Sequence, residues 1–283
     1  MTSAERMRRS LDGLSVGDAF GEQFAGVGVM RLPQRKLAPP PWPTTDDTEM
    51  ALEICVMLEE RSAIDQDELA RRFARRFRRR PDRGYGGGAM RLLNAVESGK
   101  SWRTASRDLF RGEGSKGNGA AMRVAPLGAF FASDLDAAIR EGRASAEVTH
   151  GHPQGIAGGV AVAVAAAHLA AGGSPDELLA TVAESLEPGA VLDGIDAARR
   201  INNVQPWQAA KTLGNGSAVL AEDTVPFCLW MAAHFRGSYE ETLEATAEQL
   251  GDVDTTCAIV GGLVALIGDV PAAWLESREK LDL

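Results

Sequence analysis

The chain has 283 residues and a mass of 30.0 kDa, enough for a sizeable hydrophobic core. With 30 Lys and Arg against 39 Asp and Glu, its formal charge is -9, so its overall field repels polyanions and argues against nucleic acid as a partner. Hydrophobic residues make up 45% and aromatics only 6%; Ala, Val and Leu dominate, which suits packed helices better than strands of β-branched and aromatic residues, and the expected class is all-α.

From the N-terminus, Met1 to Phe20 carries charges throughout and lacks an apolar stretch followed by a small-residue cleavage site, so no signal peptide is expected. Cys55, Cys228 and Cys257 are far apart and sit in apolar stretches, the usual setting of buried free thiols, which fits a reduced, cytoplasmic location. The Pro-rich stretch Pro39 to Pro43 lies too close to the N-terminus to divide two cores, and the expectation is one domain over residues 1–283.

Thr44-Thr45-Asp46-Asp47-Thr48-Glu49 immediately precedes a helical run in which Met50, Ile54, Met57 and Leu58 recur on one face. Taken alone, the segment reads as a helix cap. A helix start needs one cap residue, however, and adjacent carboxylates repel each other unless a cation neutralises them. Leu69, Phe73 and Phe77 mark the next helix, and the arginines at 71, 72, 75, 76, 78, 79 and 80 fall largely opposite that stripe, which reads as a solvated face.

Two glycine-dense segments follow, Gly84 to Gly88 and Gly112 to Gly119, where the backbone can approach an anion. Neither is a Walker loop, and each singly reads equally well as a turn. Thr149-His150-Gly151-His152-Pro153 then opens the weakly polar run Gly155 to Gly173, which is expected to be a buried helix and not a membrane span.

Gly251-Asp252-Val253-Asp254-Thr255-Thr256 repeats the acidic device ahead of an apolar helix through Cys257 to Ile267. Capping accounts for either acidic segment alone. Two copies, both feeding buried helices, favour a shared cation site, and their hard oxygen donors suit Mg²⁺, Mn²⁺ or Ca²⁺ better than zinc. His150, His152, His168 and His234 have no Cys at zinc-ligand spacing, and no HExxH is present. Every polar, glycine-rich segment opens an apolar helix, so a bundle whose helix N-termini converge would gather acids, amides and an imidazole at one mouth.

These segments together resemble the ADP-ribosylglycohydrolase family. Gly17-Asp18-Ala19-Phe20-Gly21 is similar to its opening motif, Thr45-Asp46-Asp47-Thr48 to its first metal motif, Gly117-Asn118-Gly119-Ala120-Ala121-Met122-Arg123 to its central loop, Thr149-His150 to its histidine motif, and Gly251 to Thr256 to its second metal motif. The resemblance implies a compact orthogonal multi-helix bundle, expected as a monomer, with two Mg²⁺ (or Mn²⁺) at the base of an ADP-ribose cleft. Carried over by motif, Thr45, Asp46, Asp47, Asp252, Asp254 and Thr255 are the implied metal ligands; Gly86, Gly87, Ser115, Asn118 and His150 surround the diphosphate and riboses; Phe110 contacts the adenosine half.

One departure concerns proton transfer. Family members that cleave serine-linked ADP-ribose carry a glutamate four residues after the second glycine of the opening motif, where this chain has Ala25. Glu22 lies one helical turn back, about 60° around and roughly 4.5 Å along the axis, so Asp47 and Glu22 are the candidate proton handlers. The expected activity is cleavage of a glycosidic bond between ADP-ribose and an acceptor. The competing readings are a metal-dependent nucleotide phosphohydrolase and a non-catalytic ADP-ribose-binding protein on the same fold.

Overall fold

The computed structural model describes residues 1–25 and 37–282. Its helices are, in order, α1 Ser3–Gly21, α2 Asp46–Arg61, α3 Gln66–Arg79, α4 Gly87–Glu97, α5 Trp102–Arg107, α6 Ala125–Phe130, α7 Leu135–Glu147, α8 Pro153–Ala170, α9 Leu178–Glu184, α10 Ala190–Arg200, α11 Pro206–Leu213, α12 Ala221–His234, α13 Tyr239–Ala247, α14 Val253–Val264 and α15 Ala272–Ser277. Among the described residues there is no strand, only isolated bridges between Trp42 and Arg278 and between Gly117 and Leu220. The chain is all-α, as its composition predicts, and one hydrophobic cluster runs from Met7 to Trp274.

The pairing that positions the site is that of α1 with α14. α1 starts with a capping box, Thr2 with Glu5, and presents Gly13, Gly17 and Gly21 along one face at i, i+4 spacing. A methyl group on any of these would run into the backbone of α14, at Gly261, Cys257 and Val253 respectively. That order shows the two helices antiparallel with their backbones in contact. The close crossing sets the C-terminal end of α1, with Asp18 and Glu22, beside the N-terminal end of α14, with Asp252 and Asp254.

α8 is long and apolar enough to cross a membrane by length and composition, but 67% of that window is buried inside the protein. Val160 to Ala167 are buried, packed against α6, α7, α9 and α12. Their small side chains let neighbours approach closely, as where Gly128 of α6 lies against the backbone of Ala163. α14 is likewise surrounded by other helices, but it ends at Val264, and Ile267, placed by its sequence in the same apolar run, is 46% exposed.

The arginine-rich α3 departs from its helical-wheel reading at one position. Arg76 is buried, its Nε hydrogen-bonded to the wholly buried carboxylate of Glu49 and its Nη1 3.3 Å from Glu53. Arg80 also reaches Glu49, at 2.6 Å. The wheel missed this because the partner acids lie on another helix, α2. Arg71, Arg72 and Arg75 share Glu68, which these contacts hold well below the usual carboxylate range, at about 2, against the opposing pull of burial. This face is therefore a network of paired charges.

The C-terminal segment straps the loop that leads into α2. Trp42 N–H donates to Ser277 O, Glu279 N–H donates to Trp42 O, and the Glu279 carboxylate accepts both the amide and the hydroxyl of Thr44. Arg83 closes the clasp, donating to Thr44 O while its Nη1 lies 2.7 Å from Glu279.

Candidate active site

A cavity of about 670 Å³ opens where several helices begin, a volume within the range of small-molecule sites. Its lining includes residues at the N-terminal ends of α2 (Asp46, Asp47), α4 (Gly86, Gly87), α8 (His152), α12 (Leu220) and α14 (Asp252, Asp254, Thr255). Free backbone N–H groups and the positive ends of the helix dipoles thus face one space, an arrangement suited to an anionic ligand.

The acidic residues are not spent on capping. The cap of α2 is Thr45, whose Oγ1 accepts from Asp47 N–H at 3.4 Å. Asp252, at the N-cap position of α14, makes no capping bond; its carboxylate instead accepts the Asn118 side-chain amide at 2.7 Å. Behind them sits Asp18, wholly buried, which accepts the backbone N–H and hydroxyl of both Thr45 and Thr48. Those bonds oppose, without cancelling, the rise that burial imposes on the Asp18 pKa. Asp46, Asp47 and Asp254 are pushed well above the usual carboxylate range, first by burial and then by the charges of neighbouring aspartates. The Arg123 cation offsets only part of this rise, at Asp46, and Asp47 Oδ1 is buried with no hydrogen-bond partner.

Among the described residues, no three Asp, Glu, His or Cys side chains close on a single point as a ready-made cation cage. The donor chemistry nevertheless fits a hard divalent cation: carboxylates that repel one another across one cavity, an orphaned carboxylate oxygen, and the Thr255 hydroxyl beside them.

Away from the acids, Gly84 to Gly88 forms one wall. A side chain on Gly84 would approach Asp46 Oδ1, at 3.4 Å, and one on Gly88 would meet the ring of Phe110, at 3.3 Å, so this bare segment runs from the carboxylates to an aromatic platform. Phe110 and Arg111 both have left-handed backbone, with φ of 52° and 65°, a conformation that costs non-glycine residues about 1–2 kcal/mol each. The strained turn leaves Phe110 53% exposed at the cavity, with the Arg91 guanidinium 5.9 Å from its centroid. Gly114, at φ +75°, has no room for a side chain against Gly151, and so joins the second glycine loop to the histidine segment.

His150 is buried at this wall, its Nδ1 2.8 Å from Thr149 Oγ1. Burial and the nearby Arg123 cation push its pKa down to about 3. Arg123 is itself buried, lies over the Phe73 ring with its guanidinium carbon 4.5 Å from the centroid, and donates to Ser145 O and Thr149 Oγ1.

The cavity brings together Asp46, Asp47, Gly86, Gly87, Phe110, Ser115, Asn118, His150, Asp252, Asp254 and Thr255. Thr45 stands just behind the lining, 3.1 Å from Asp47 Oδ2. Glu22 begins the short 3₁₀ turn that ends at Phe24; it is half-buried, close enough for its charge to act on Asp254, but outside the lining. Ala25 follows, exposed. Sequence reasoning assigned no role to Asp18 or Arg123, although both lie in quoted motifs, nor to Ala218, Val219 and Leu220, which line the cavity after the turn at Asn215-Gly216.

The sequence model of the ADP-ribosylglycohydrolase family matches residues 1–283. An uncharacterized protein of Archaeoglobus fulgidus is 31% identical over 296 residues, covering 98% of this chain and 94% of its own. ADP-ribosylhydrolase ARH3 of Homo sapiens is 28% identical, covering 98% of this chain and 90% of its own, and ADP-ribosyl-[dinitrogen reductase] glycohydrolase of Rhodospirillum rubrum is 27% identical, covering 96% and 88%. The fold matches a solved ADP-ribosylglycohydrolase-related protein complex with a TM-score of 0.75 over 98% of this chain and 93% of that one, at 24% identity. With a motif set that spans the chain and a family match from its first residue to its last, this protein belongs to the ADP-ribosylglycohydrolase family, a family of glycosidic-bond hydrolases.

Proposed function

We propose that the protein hydrolyses the glycosidic bond between ADP-ribose and an acceptor, releasing free ADP-ribose, with two Mg²⁺ or Mn²⁺ held by Thr45, Asp46, Asp47, Asp252, Asp254 and Thr255. The observation that carries this reading is the polarity of the cavity: under-neutralised carboxylates at one end, Phe110 at the other, and bare glycine backbone between them. A molecule with an aromatic base, a diphosphate and a distal sugar matches that order of surfaces. The names of the human and Rhodospirillum rubrum relatives point the same way.

In this reading Phe110 stacks on adenine, and the backbone amides of Gly86 and Gly87 at the start of α4 face the diphosphate. Ser115 and His150 hold the ligand from the other wall, while Asn118 keeps Asp252 aimed inward through its amide. Bound cations would supply Lewis-acid activation of water and orientation of the distal ribose hydroxyls. Glycoside cleavage passes through an oxocarbenium-like state, and a carboxyl group that protonates the leaving atom contributes about 10²- to 10⁴-fold. Asp47 is the better candidate for that proton, since it lines the cavity and its buried Oδ1 has no partner, whereas Glu22 lies outside the lining. The buried free thiols Cys55, Cys228 and Cys257 support a cytoplasmic setting.

Product analysis tests the proposal. The enzyme is offered arginine-, serine-, nucleobase- and acetyl-linked ADP-ribose with Mg²⁺, Mn²⁺ or EDTA, alongside Asp47→Asn and Asp254→Asn. Release of intact ADP-ribose from at least one linkage, lost in EDTA and in both variants, is expected. AMP with ribose phosphate as products would establish the phosphohydrolase reading instead.

A further inference from the structure

The hydrogen bonds behind His150 have a definite direction. A guanidinium only donates, so at 2.8 Å from Arg123 Nη2 the Thr149 hydroxyl oxygen must accept. The hydroxyl then has one proton to place, and His150 Nδ1 lies 2.8 Å away. Among the described residues Thr149 Oγ1 has no other acceptor, and the residue is buried. Were Nδ1 protonated, Oγ1 would accept from both sides and its own proton would be stranded in the interior. Burial and the Arg123 cation also keep the imidazole neutral, so it carries a single N–H.

We propose that Arg123 and Thr149 act as positioning residues that lock His150 in the Nε2–H tautomer, so that it presents one N–H donor to an acceptor oxygen of a nucleotide diphosphate in the cavity. Two further observations support this. Nε2 has no hydrogen-bond partner among the described residues, although His150 lines the cavity. The atoms beside it are bare backbone: a side chain on Gly119 would come 3.6 Å from Nε2 and one on Gly117 3.8 Å, so glycine at both leaves its approach open. The same tautomer leaves Nε2 a donor, with no lone pair to offer a cation. The proposal rests on the ADP-ribose reading only for the identity of the ligand.

The test reads the proton directly. Nitrogen-15 NMR of histidine-labelled full-length protein is recorded for the wild type, Thr149→Ser and Thr149→Val, and ADP-ribose affinity is measured for each by calorimetry. The wild type and Thr149→Ser are expected to carry the proton on Nε2. Thr149→Val, which cannot donate to Nδ1, is expected to show a mixture of tautomers and about tenfold weaker ADP-ribose binding. A proton on Nδ1 in the wild type overturns the proposal, as does Thr149→Val with wild-type tautomer and affinity. If Thr149→Val does not fold, the wild-type and Thr149→Ser spectra still decide the tautomer. Nε2–H in a wild type that does not bind ADP-ribose would leave the lock standing and remove the ligand assignment; ADP-ribose binding with the proton on Nδ1 would do the reverse.

Discussion

Asp18 and Thr45 are 27 residues apart in sequence, yet the Asp18 carboxylate accepts the Thr45 amide at 2.9 Å and the Thr45 hydroxyl at 2.8 Å. That contact lets α1 set the cap of α2. Because α1 also crosses α14 backbone to backbone, a single buried carboxylate links the two acidic motifs. It also accepts the Thr45 hydroxyl in a hydrogen bond while the Thr45 oxygen accepts the Asp47 amide, so Asp18, Thr45 and Asp47 are tied together at the start of α2.

Asp18→Asn tests this role. The amide keeps the shape but replaces one acceptor oxygen with a donor that faces the donors of Thr45 and Thr48. Outer partners of metal ligands typically contribute about 10- to 100-fold to metal affinity, so Mn²⁺ affinity measured by calorimetry is expected to fall within that range. An unchanged Mn²⁺ isotherm in a folded Asp18→Asn protein would show that the carboxylate merely fills the interior.

Divalent cations are expected to stabilise the fold as well as to activate it. Burial, and then the charges of neighbouring aspartates that include Asp18 and Asp252, raise the pKa of Asp46, Asp47 and Asp254 in the protein alone, and a ligand that binds only the folded state adds about 2.7 kcal/mol at 100 times its dissociation constant. Thermal unfolding followed by calorimetry should show a Tm several degrees higher in Mg²⁺ or Mn²⁺ than in EDTA, and Asp47→Asn should lose most of the difference. Identical melting curves in EDTA and in both metals would remove the case for a metal centre.

His150 gives the stability a slope on the acid side. Burial, and then the Arg123 cation, hold its folded pKa down at about 3 against the ordinary histidine value of 6.5, so below pH 6.5 the unfolded chain binds the proton that the folded protein refuses. The stability conferred by the neutral ring is complete above 6.5 and is lost as the pH falls from 6.5 toward 3, by at most about 1.4 kcal/mol per pH unit. His150→Asn cannot titrate. Urea unfolding at a series of pH values should therefore show a shallower decline below 6.5 for His150→Asn than for the wild type, and parallel curves would contradict a buried neutral histidine.

The sequence made the helices and the acidic motifs legible because both are local: apolar spacing marks a helix face, and Asp46-Asp47 and Asp252-x-Asp254 stand next to each other in the chain. It left open whether the acids cap helices or face a ligand, since that depends on which oxygen the backbone uses; the structure shows Thr45 as the cap and Asn118 as the partner of Asp252. Asp18 and Arg76 were opaque for a different reason. Each looks ordinary on its own helix, and its role comes from residues 27 positions away, Thr45 and Glu49 respectively. Val219 gave no signal, because a side chain placed by the Asn215-Gly216 turn against the cavity depends on long-range contacts, including those of Gly216 with Asp252.

The α1 and α14 crossing makes the site sensitive to a single methyl group far from any ligand. Gly17 does not touch the cavity; its α-carbon faces the backbone of Cys257, three residues past Asp254, with no space for a side chain. Overpacking of this kind typically costs roughly 1–3 kcal/mol, because rigid backbone and not a flexible side chain must give way. In Gly17→Ala the helices separate, and Asp18 and Asp254 move apart with them. The expected outcome is a lower urea midpoint together with a loss of Mn²⁺ affinity larger than the stability change alone would produce in the fully folded protein. Gly172→Ala is a suitable comparison: its φ of +87° makes it costly for the backbone, but nothing packs against it, so it should lower stability without weakening Mn²⁺ binding. Equal effects of the two substitutions on Mn²⁺ affinity would show that the crossing does not position the acidic motifs.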